Sequence, residues 1–146
     1  MKTIALGFLL CWAALQAGAV EPQGLTDLPK AKALAKTDNK TVLVDFTGSD
    51  WCGWCKKARK DILDTPEFAE YAKKNLVLVE LDYPSAKVQQ SDDLKKANKA
   101  LKGQYSVSGF PTFLLLDSGG KELGRQVGYL EGGPKAFIQK LDGFKK

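Results

Sequence analysis

Short apolar runs alternate with amphipathic stretches from residue 28 to the end of the chain. Three runs of strand length, rich in β-branched and aliphatic side chains, occupy residues 41–46, 76–81 and 112–116. A fourth run, residues 122–127, follows the turn signal Ser118-Gly119-Gly120, and this spacing predicts a hairpin with the run before it. The pattern therefore predicts four strands.

Helical segments are expected between and around these strands. Residues 28–36 are rich in Ala, Leu and Lys, and residues 52–62 also have a helical composition. Asp64 or Thr65 stands before Pro66, which is the order of a capping residue followed by a proline in the first helical turn. We therefore expect a third helix to begin at this proline.

Two further helices are predicted nearer the carboxyl end. Ser91 is a capping residue and Gly103 is a stop signal, so residues 91–103 should enclose one of them. Its apolar positions recur at helical spacing and are Leu94, Ala97 and Leu101. Residues 132–134 introduce the last helix, in which Phe137 and Leu141 lie one turn apart.

The order of these elements predicts an α/β fold. Strands separated by helices are expected to be parallel, while the terminal hairpin should add an antiparallel edge. The expected architecture is a mixed central sheet with helices on both faces and a C-terminal antiparallel hairpin.

The first residues have the three-part pattern of a secretory signal peptide. Lys2 precedes an uncharged run, residues 4–15, and Ala17-Gly18-Ala19 forms a small-residue cleavage site. A membrane anchor is the alternative, but a spanning helix needs about 20 apolar residues. We predict cleavage after Ala19, removal of Cys11 with the signal, and a single exported domain comprising residues 20–146.

Charge and composition exclude several classes of function. The 22 basic residues include Lys2, so the mature chain would keep 21 against 17 acidic ones, a surplus of only four. Basic and aromatic residues do not interleave in a stripe, so nucleic acid is not an expected partner. No second apolar run approaches membrane-spanning length, so no stable membrane insertion is expected. The sequence contains no histidine, which removes Ser-His and Cys-His catalysis and the usual zinc sites.

The mature chain would keep one pair of cysteines, in the motif Trp51-Cys52-Gly53-Trp54-Cys55-Lys56. The motif follows the first strand and opens a helix, so the two sulfurs lie on one helix face. Cys52 lies where the helix dipole stabilises a thiolate, and it is the expected attacking sulfur. Cys55, one turn deeper, is placed to resolve the mixed disulfide that the attack produces.

The cysteine pair could instead serve as a structural disulfide or as part of a metal site. A structural disulfide that closes a loop of four residues would contribute roughly 2 kcal/mol to the free energy of unfolding, against about 3 kcal/mol for a loop of fifteen residues. As a metal site, the pair would fall short of the four ligands of a usual zinc set, and the chain has no histidine to add. We therefore favour redox chemistry and expect no metal, with soft-metal delivery through two thiolates as a further alternative.

Three motifs in order resemble those of the thioredoxin family, particularly its exported members, over residues 28–144. Residues 44–46 followed by 51–56 are similar to the family's active-site strand and helix. Residues 105–112 are similar to the stretch that carries its cis-proline, and residues 119–121 with 127–129 to the hairpin that follows. The resemblance implies the thioredoxin fold.

The resemblance also implies roles for residues around the cysteines. Pro111 would follow a cis peptide bond, and Phe110 would offer its backbone to an extended substrate peptide. Asp45 would be the buried acid that helps Cys55 to lose or gain a proton, the alternative being a solvated carboxylate at a strand end.

The aromatic residues of the motif have two interpretations each. The resemblance implies that Trp51 packs over the active-site loop, and an ordinary core aromatic is the alternative. Trp54, with Gly53 beside it, could form an apolar docking surface for unfolded substrates or could be accidental surface apolarity. Lys56 could favour the thiolates electrostatically, although a solvated helix lysine is the simpler interpretation.

The sequence thus predicts an exported, monomeric thiol–disulfide oxidoreductase that reduces disulfides in exported proteins. It would need no bound cofactor, because the dithiol carries the electrons, but it would need an upstream electron donor. Its potential should lie closer to roughly −270 mV than to about −120 mV. The alternatives are a disulfide isomerase or oxidant, and a binding or chaperone module that carries an idle disulfide.

Overall fold

The computed structural model describes residues 24–146. The predicted signal peptide, its cleavage after Ala19, and Cys11 lie outside the described residues. The elements are α1 (Leu28–Asp38), β1 (Thr41–Thr47), α2 (Gly53–Ala58), a π-helical segment (Arg59–Leu63), α3 (Pro66–Asn75), β2 (Leu76–Asp82), α4 (Asp92–Gln104), β3 (Thr112–Leu116), β4 (Glu122–Val127) and α5 (Gly133–Phe144).

The four strands form one mixed sheet in the order β2-β1-β3-β4. β1 and β2 are parallel, with Asp45 opposite Glu80. β3 runs antiparallel to β1 and to β4, so the predicted mixed sheet and terminal hairpin are confirmed. The expectation that helix-separated strands would all be parallel was wrong for β3. β2 ends and β3 begins at the same end of the sheet, so the connection of residues 83–111 does not carry the chain back to the other end, as a parallel crossover would. Within residues 24–146, no helix is long and apolar enough to cross a membrane.

The sheet separates two apolar cores, as the alternation of β1 requires. Val42, Val44 and Phe46 face the layer that contains α1. Leu43 faces the opposite layer, where α2, the π-helical segment, α3 and α5 pack. Asp45 lies two residues after Leu43 on β1, so its side chain points to the same layer, which contains α2.

The structure corrects two of the helix predictions. The second helix is α-helical only over Gly53–Ala58 and then widens into a π-helical turn before Asp64. In α4, Asn98 is the buried residue, whereas Ala97, one of the apolar positions at helical spacing, is exposed. Asn98 is buried because its side-chain amide donates to the Asp82 carbonyl (2.9 Å) and its own carbonyl accepts from Tyr83 (2.6 Å).

The expected capping residues at the helix starts are confirmed, whereas the predicted stop residue Gly103 lies inside α4, which ends at Gln104. The Thr65 hydroxyl accepts from the Phe68 amide, and the Ser91 hydroxyl accepts from the Leu94 amide. Such caps satisfy backbone donors that a helix start leaves unpaired.

Candidate functional site

Cys52 is the N-cap of α2, immediately after the loop that leaves β1. Its sulfur accepts a hydrogen bond from the Cys55 amide at 3.2 Å, and the two cysteines form a disulfide with their Cα atoms 5.2 Å apart. The exposed fractions are 6% and 5%, so little of either residue reaches solvent. Cys52 therefore lies at the helix start, as the sequence predicts. Unpaired backbone amides at this position stabilise a thiolate.

Trp51 covers the segment that follows β2. Its indole nitrogen donates to the Tyr83 carbonyl at 2.8 Å, and its ring meets the Phe110 ring edge-on with centroids 5.7 Å apart. The side chain is nevertheless 53% exposed. The alternative interpretation of Trp51 as an ordinary core aromatic was therefore wrong.

Two carboxylates fasten the loop before Cys52 to the same segment. Asp82 accepts from the amide (2.9 Å) and the hydroxyl (2.6 Å) of Ser49. Asp50 accepts from the amide of Ser85 at 2.9 Å and also from its hydroxyl, and these hydrogen bonds lower the pKa of Asp50. The loop is thus held from both sides by charge-assisted hydrogen bonds, which are stronger than neutral ones.

The peptide bond between Phe110 and Pro111 is cis, as the resemblance implied. The Pro111 carbonyl accepts from the Gly128 amide at 2.8 Å, which joins this segment to the chain after β4. The Phe110 ring lies against the Tyr83 ring at 5.1 Å, and the Lys102 ammonium lies 5.0 Å from its centroid.

Trp54 is the more exposed of the two tryptophans in the motif, at 60%. Its ring stacks on Tyr129 with centroids 5.8 Å apart. A shallow groove of about 230 Å³ runs beside this pair, and its lining residues are Trp54, Phe110, Gly128, Tyr129 and Glu131. The groove brings the cis-proline segment and the motif's second tryptophan to one surface.

Asp45 is buried, on the sheet face that α2 covers. Its Oδ1 atom has no hydrogen-bond partner among residues 24–146. Burial, with smaller contributions from Glu80 and Asp82 that outweigh the opposing Arg59, raises the pKa of Asp45 from 3.8 to about 8. The alternative of a solvated carboxylate was therefore wrong.

The remaining motif residues have simpler surroundings. Gly53 is exposed, and a Cβ built on it would meet nothing within 4 Å. The Lys56 ammonium donates to the Asp50 carbonyl at 2.7 Å, so it braces the loop. Across the part of the chain that the structure describes, no cluster of three or more His, Cys, Asp or Glu side chains could hold a metal ion.

Sequence reasoning does not identify several residues around the site. Asp82 and Tyr83 stand out along the chain only as part of the strand-breaking sequence Asp82-Tyr83-Pro84, and nothing local singles out Ser85. Arg59 and Glu80, which form an ion pair near Asp45, are also missed. A usable signal exists for Glu80, since one carboxylate interrupts the otherwise apolar run of residues 76–81.

Comparisons with known proteins agree with this geometry. A family model described as a thioredoxin-like domain matches residues 28–145. Disulfide bond reductase DsbH of Chlamydia pneumoniae is 41% identical over 107 residues, which cover 73% of this chain and 63% of that protein. The aligned part therefore spans less than two thirds of that relative.

Solved structures show the same likeness. A structure of DsbH oxidoreductase superposes with a TM-score of 0.75 at 35% identity and covers 95% of this chain and 94% of the other. A thioredoxin from Thermus thermophilus superposes with a TM-score of 0.61 at 22% identity, covering 82% of this chain and 85% of that one. The second likeness concerns the fold alone.

Proposed function

The chain belongs to the thioredoxin-like family, and from this premise we propose that it is a thiol–disulfide oxidoreductase that reduces disulfides in exported proteins. One observation carries the proposal: Cys52 caps a helix start and is bonded to Cys55 one turn away. The similarity to a disulfide bond reductase supports the same direction of electron flow.

The reaction would proceed in two thiol–disulfide exchanges. In the reduced protein, the Cys52 thiolate attacks one sulfur of a substrate disulfide, forming a mixed disulfide and releasing the other substrate sulfur as a thiolate. The Cys55 thiolate then attacks Cys52, so the mixed disulfide breaks and the second substrate thiolate leaves. Two electrons pass to the substrate, and the protein is left with its own disulfide.

Asp45 is the proposed proton acceptor for the second exchange. Cys55 must lose its proton before its sulfur can attack, and Asp45 lies on the sheet face that α2 covers. Because burial holds the pKa of Asp45 near 8, its carboxylate binds a proton strongly enough to act as a base close to neutral pH.

The groove beside Trp54 is the proposed binding surface for the substrate. Phe110 and Pro111 would present backbone to an extended segment, while Trp51 and Trp54 would contact its apolar side chains. Exposed aromatic rings beside a polar rim are typical of surfaces that bind other proteins.

We also propose that the protein acts as an exported monomer. The small-residue site at Ala17-Gly18-Ala19 supports export, and intact mass of protein from the exporting cell should then correspond to a chain beginning at Val20. Retention of Met1 would contradict this. In an oxidising compartment the protein would need an upstream electron donor, because its disulfide would otherwise stay closed.

Single-cysteine variants test the proposed chemistry. Cys52→Ser should abolish reduction of a disulfide-bonded test protein such as insulin, since the attacking sulfur is gone. Cys55→Ser should accumulate mixed disulfides, visible on non-reducing gels, because nothing resolves them. A wild-type rate no faster than that of Cys52→Ser or of buffer alone would support instead a binding module with an idle disulfide.

A further inference from the structure

Arg59 and Glu80 form an ion pair between the π-helical segment and β2. Arg59 follows α2 directly, and Glu80 is the β2 residue opposite Asp45. In parallel strands, opposite residues share a face, so Glu80 and Asp45 project to the same side of the sheet. Neither exchange step of the proposed reaction involves this pair directly.

A polar cleft adjoins the pair at the β2 edge of the sheet. Its volume is about 270 Å³, and Arg59, Glu80, Asp82 and Asn98 are among its lining residues. Asp45 Oδ1 and Asn98 Oδ1 are buried without a hydrogen-bond partner in the described part of the chain. Buried polar atoms are normally paired. The unpaired oxygen of Asn98 in the cleft lining, and that of Asp45 opposite Glu80, therefore indicate a place where a proton or water is handled.

The charged groups around Asp45 are few. Glu80 and Asp82 lie on β2, and Arg59 lies on the π-helical segment. The β3 residue opposite Asp45 is Phe113, which carries no charge, and the buried residues of α1 face the other core. Glu80 and Asp82 disfavour a negative charge on Asp45, whereas Arg59 favours it.

We propose that the Arg59–Glu80 ion pair is a positioning element that controls when Asp45 holds its proton during the exchange at Cys55. While Glu80 holds Arg59, the guanidinium is only partly available to stabilise an Asp45 carboxylate. Near neutral pH only a minor fraction of Asp45 is therefore the carboxylate that can accept the Cys55 proton, and the ion pair sets the size of this fraction. This inference rests on the proposed function for its consequence in turnover, but the charge effect itself exists in the protein without any substrate.

Two charge-removing variants distinguish this role from simple bracing. Glu80→Gln removes a negative neighbour and frees Arg59 to attract the Asp45 carboxylate, so the pKa of Asp45 should fall by roughly one unit or more. Arg59→Gln removes the favourable charge and leaves Glu80 uncompensated, so the pKa should rise. Structural damage that opened the core to water would move both variants in the same direction.

The measurement is the titration of carboxyl ¹³C resonances in the oxidised full-length protein, with Asp45 assigned by its loss in Asp45→Asn. Arg59→Lys keeps the positive charge, so the pKa of Asp45 in this variant should stay within about half a unit of the wild-type value. Lys60→Gln is the matched control, because this exposed neighbour loses the same charge without facing Asp45.

The outcomes are separable from those of the cysteine variants. The inference is supported if the Asp45 pKa falls in Glu80→Gln and rises in Arg59→Gln, and if the pH profile of mixed-disulfide resolution moves in the same direction as the pKa in each variant. If the Asp45 pKa shifts in opposite directions but the wild-type protein fails to reduce insulin, the effect of the ion pair on Asp45 is supported and the proposed function is contradicted. If the Asp45 pKa shifts in the same direction in both variants, or by no more than in Lys60→Gln, the inference is wrong and the ion pair is only a structural brace.

Discussion

The indole nitrogen of Trp51 donates a 2.8 Å hydrogen bond to the carbonyl oxygen of Tyr83, which ties the residue before the attacking cysteine to the segment after β2. Gly48 leaves the space that this arrangement needs. A Cβ on Gly48 would lie 2.5 Å from the Trp51 ring, which is closer than such atoms approach. The ring is half exposed, so it can swing outward, and the loop would then lose one of its fastenings.

Gly48→Ala should therefore displace Trp51 without unfolding the protein. We expect a change in tryptophan fluorescence and a several-fold loss of insulin reduction, because the surface beside Cys52 is no longer held. Gly103→Ala is the matched control, since a Cβ there meets nothing within 4 Å. Equal fluorescence and activity in both variants would show that Trp51 keeps its place despite the added methyl group.

Asp45→Asn should change how stability depends on pH. The folded-state pKa of Asp45 is about 8, above its ordinary value of 3.8, so between these pH values the unfolded chain releases a proton that the folded chain retains. The contribution of Asp45 to the free energy of unfolding of the wild type therefore falls as pH rises through this window, by up to about 1.4 kcal/mol per pH unit. The variant lacks this loss.

Urea unfolding of both oxidised proteins at pH 5 and pH 7.5 measures the difference. Other titrating groups are common to both and cancel. The variant should gain stability relative to wild type on going to the higher pH. Asp93→Asn, an exposed change in α4, should show no such gain. A constant difference between wild type and Asp45→Asn would mean that the buried carboxyl titrates normally.

Trp54→Ala should weaken binding of protein substrates while sparing the cysteine chemistry. The ring is exposed and stacks only on Tyr129 among its aromatic contacts in the described residues, so its removal takes apolar area from the groove. We expect KM for insulin to rise about 3- to 10-fold, equivalent to roughly 1 kcal/mol. The rate with a small disulfide such as hydroxyethyl disulfide should stay within about twofold, because so small a substrate does not fill the groove.

Leu34→Ala is the control for Trp54→Ala, because Leu34 is also an exposed apolar residue but lies on α1. It should leave KM unchanged. If both substrates slow equally in Trp54→Ala, the tryptophan acts on the cysteines and the docking role is wrong.

The reduction potential should be that of a reductant, closer to roughly −270 mV than to about −120 mV. Cys52 receives the Cys55 amide hydrogen bond, whereas the Lys56 ammonium is bonded to the Asp50 carbonyl. The thiolate therefore gains stabilisation mainly from the helix start, and the reduced form is not strongly favoured. Equilibration in a glutathione buffer, read by thiol alkylation and mass, gives the value. A potential above about −160 mV would indicate a disulfide donor or isomerase.

Much of the fold followed from local patterns. The strand runs, the capping residues Thr65 and Ser91, and the hairpin signal at residues 118–120 each act over a few neighbouring residues, so the sequence was enough to predict them. The position of Cys52 at a helix start is of the same kind, because a strand, a short loop and a helical composition follow one another along the chain.

Other features depend on contacts between distant segments. The antiparallel direction of β3 depends on the path of residues 83–111, and Asn98 rather than Ala97 is buried because its amide reaches the Asp82 carbonyl across 16 positions. A hydrophobicity pattern along α4 contains no information about that partner.

The charged residues around Asp45 are also brought together by contacts between distant segments. The sequence by itself determined that two cysteines share the first turn of a helix, since their spacing and the helical period are local. Only the tertiary structure decided that Glu80 stands opposite Asp45 and that Arg59 reaches Glu80, because the register of β1 with β2 and the π-helical turn bring together residues that are distant along the chain. Burial and these charges raise the pKa of Asp45, and neither can be read from its immediate neighbours.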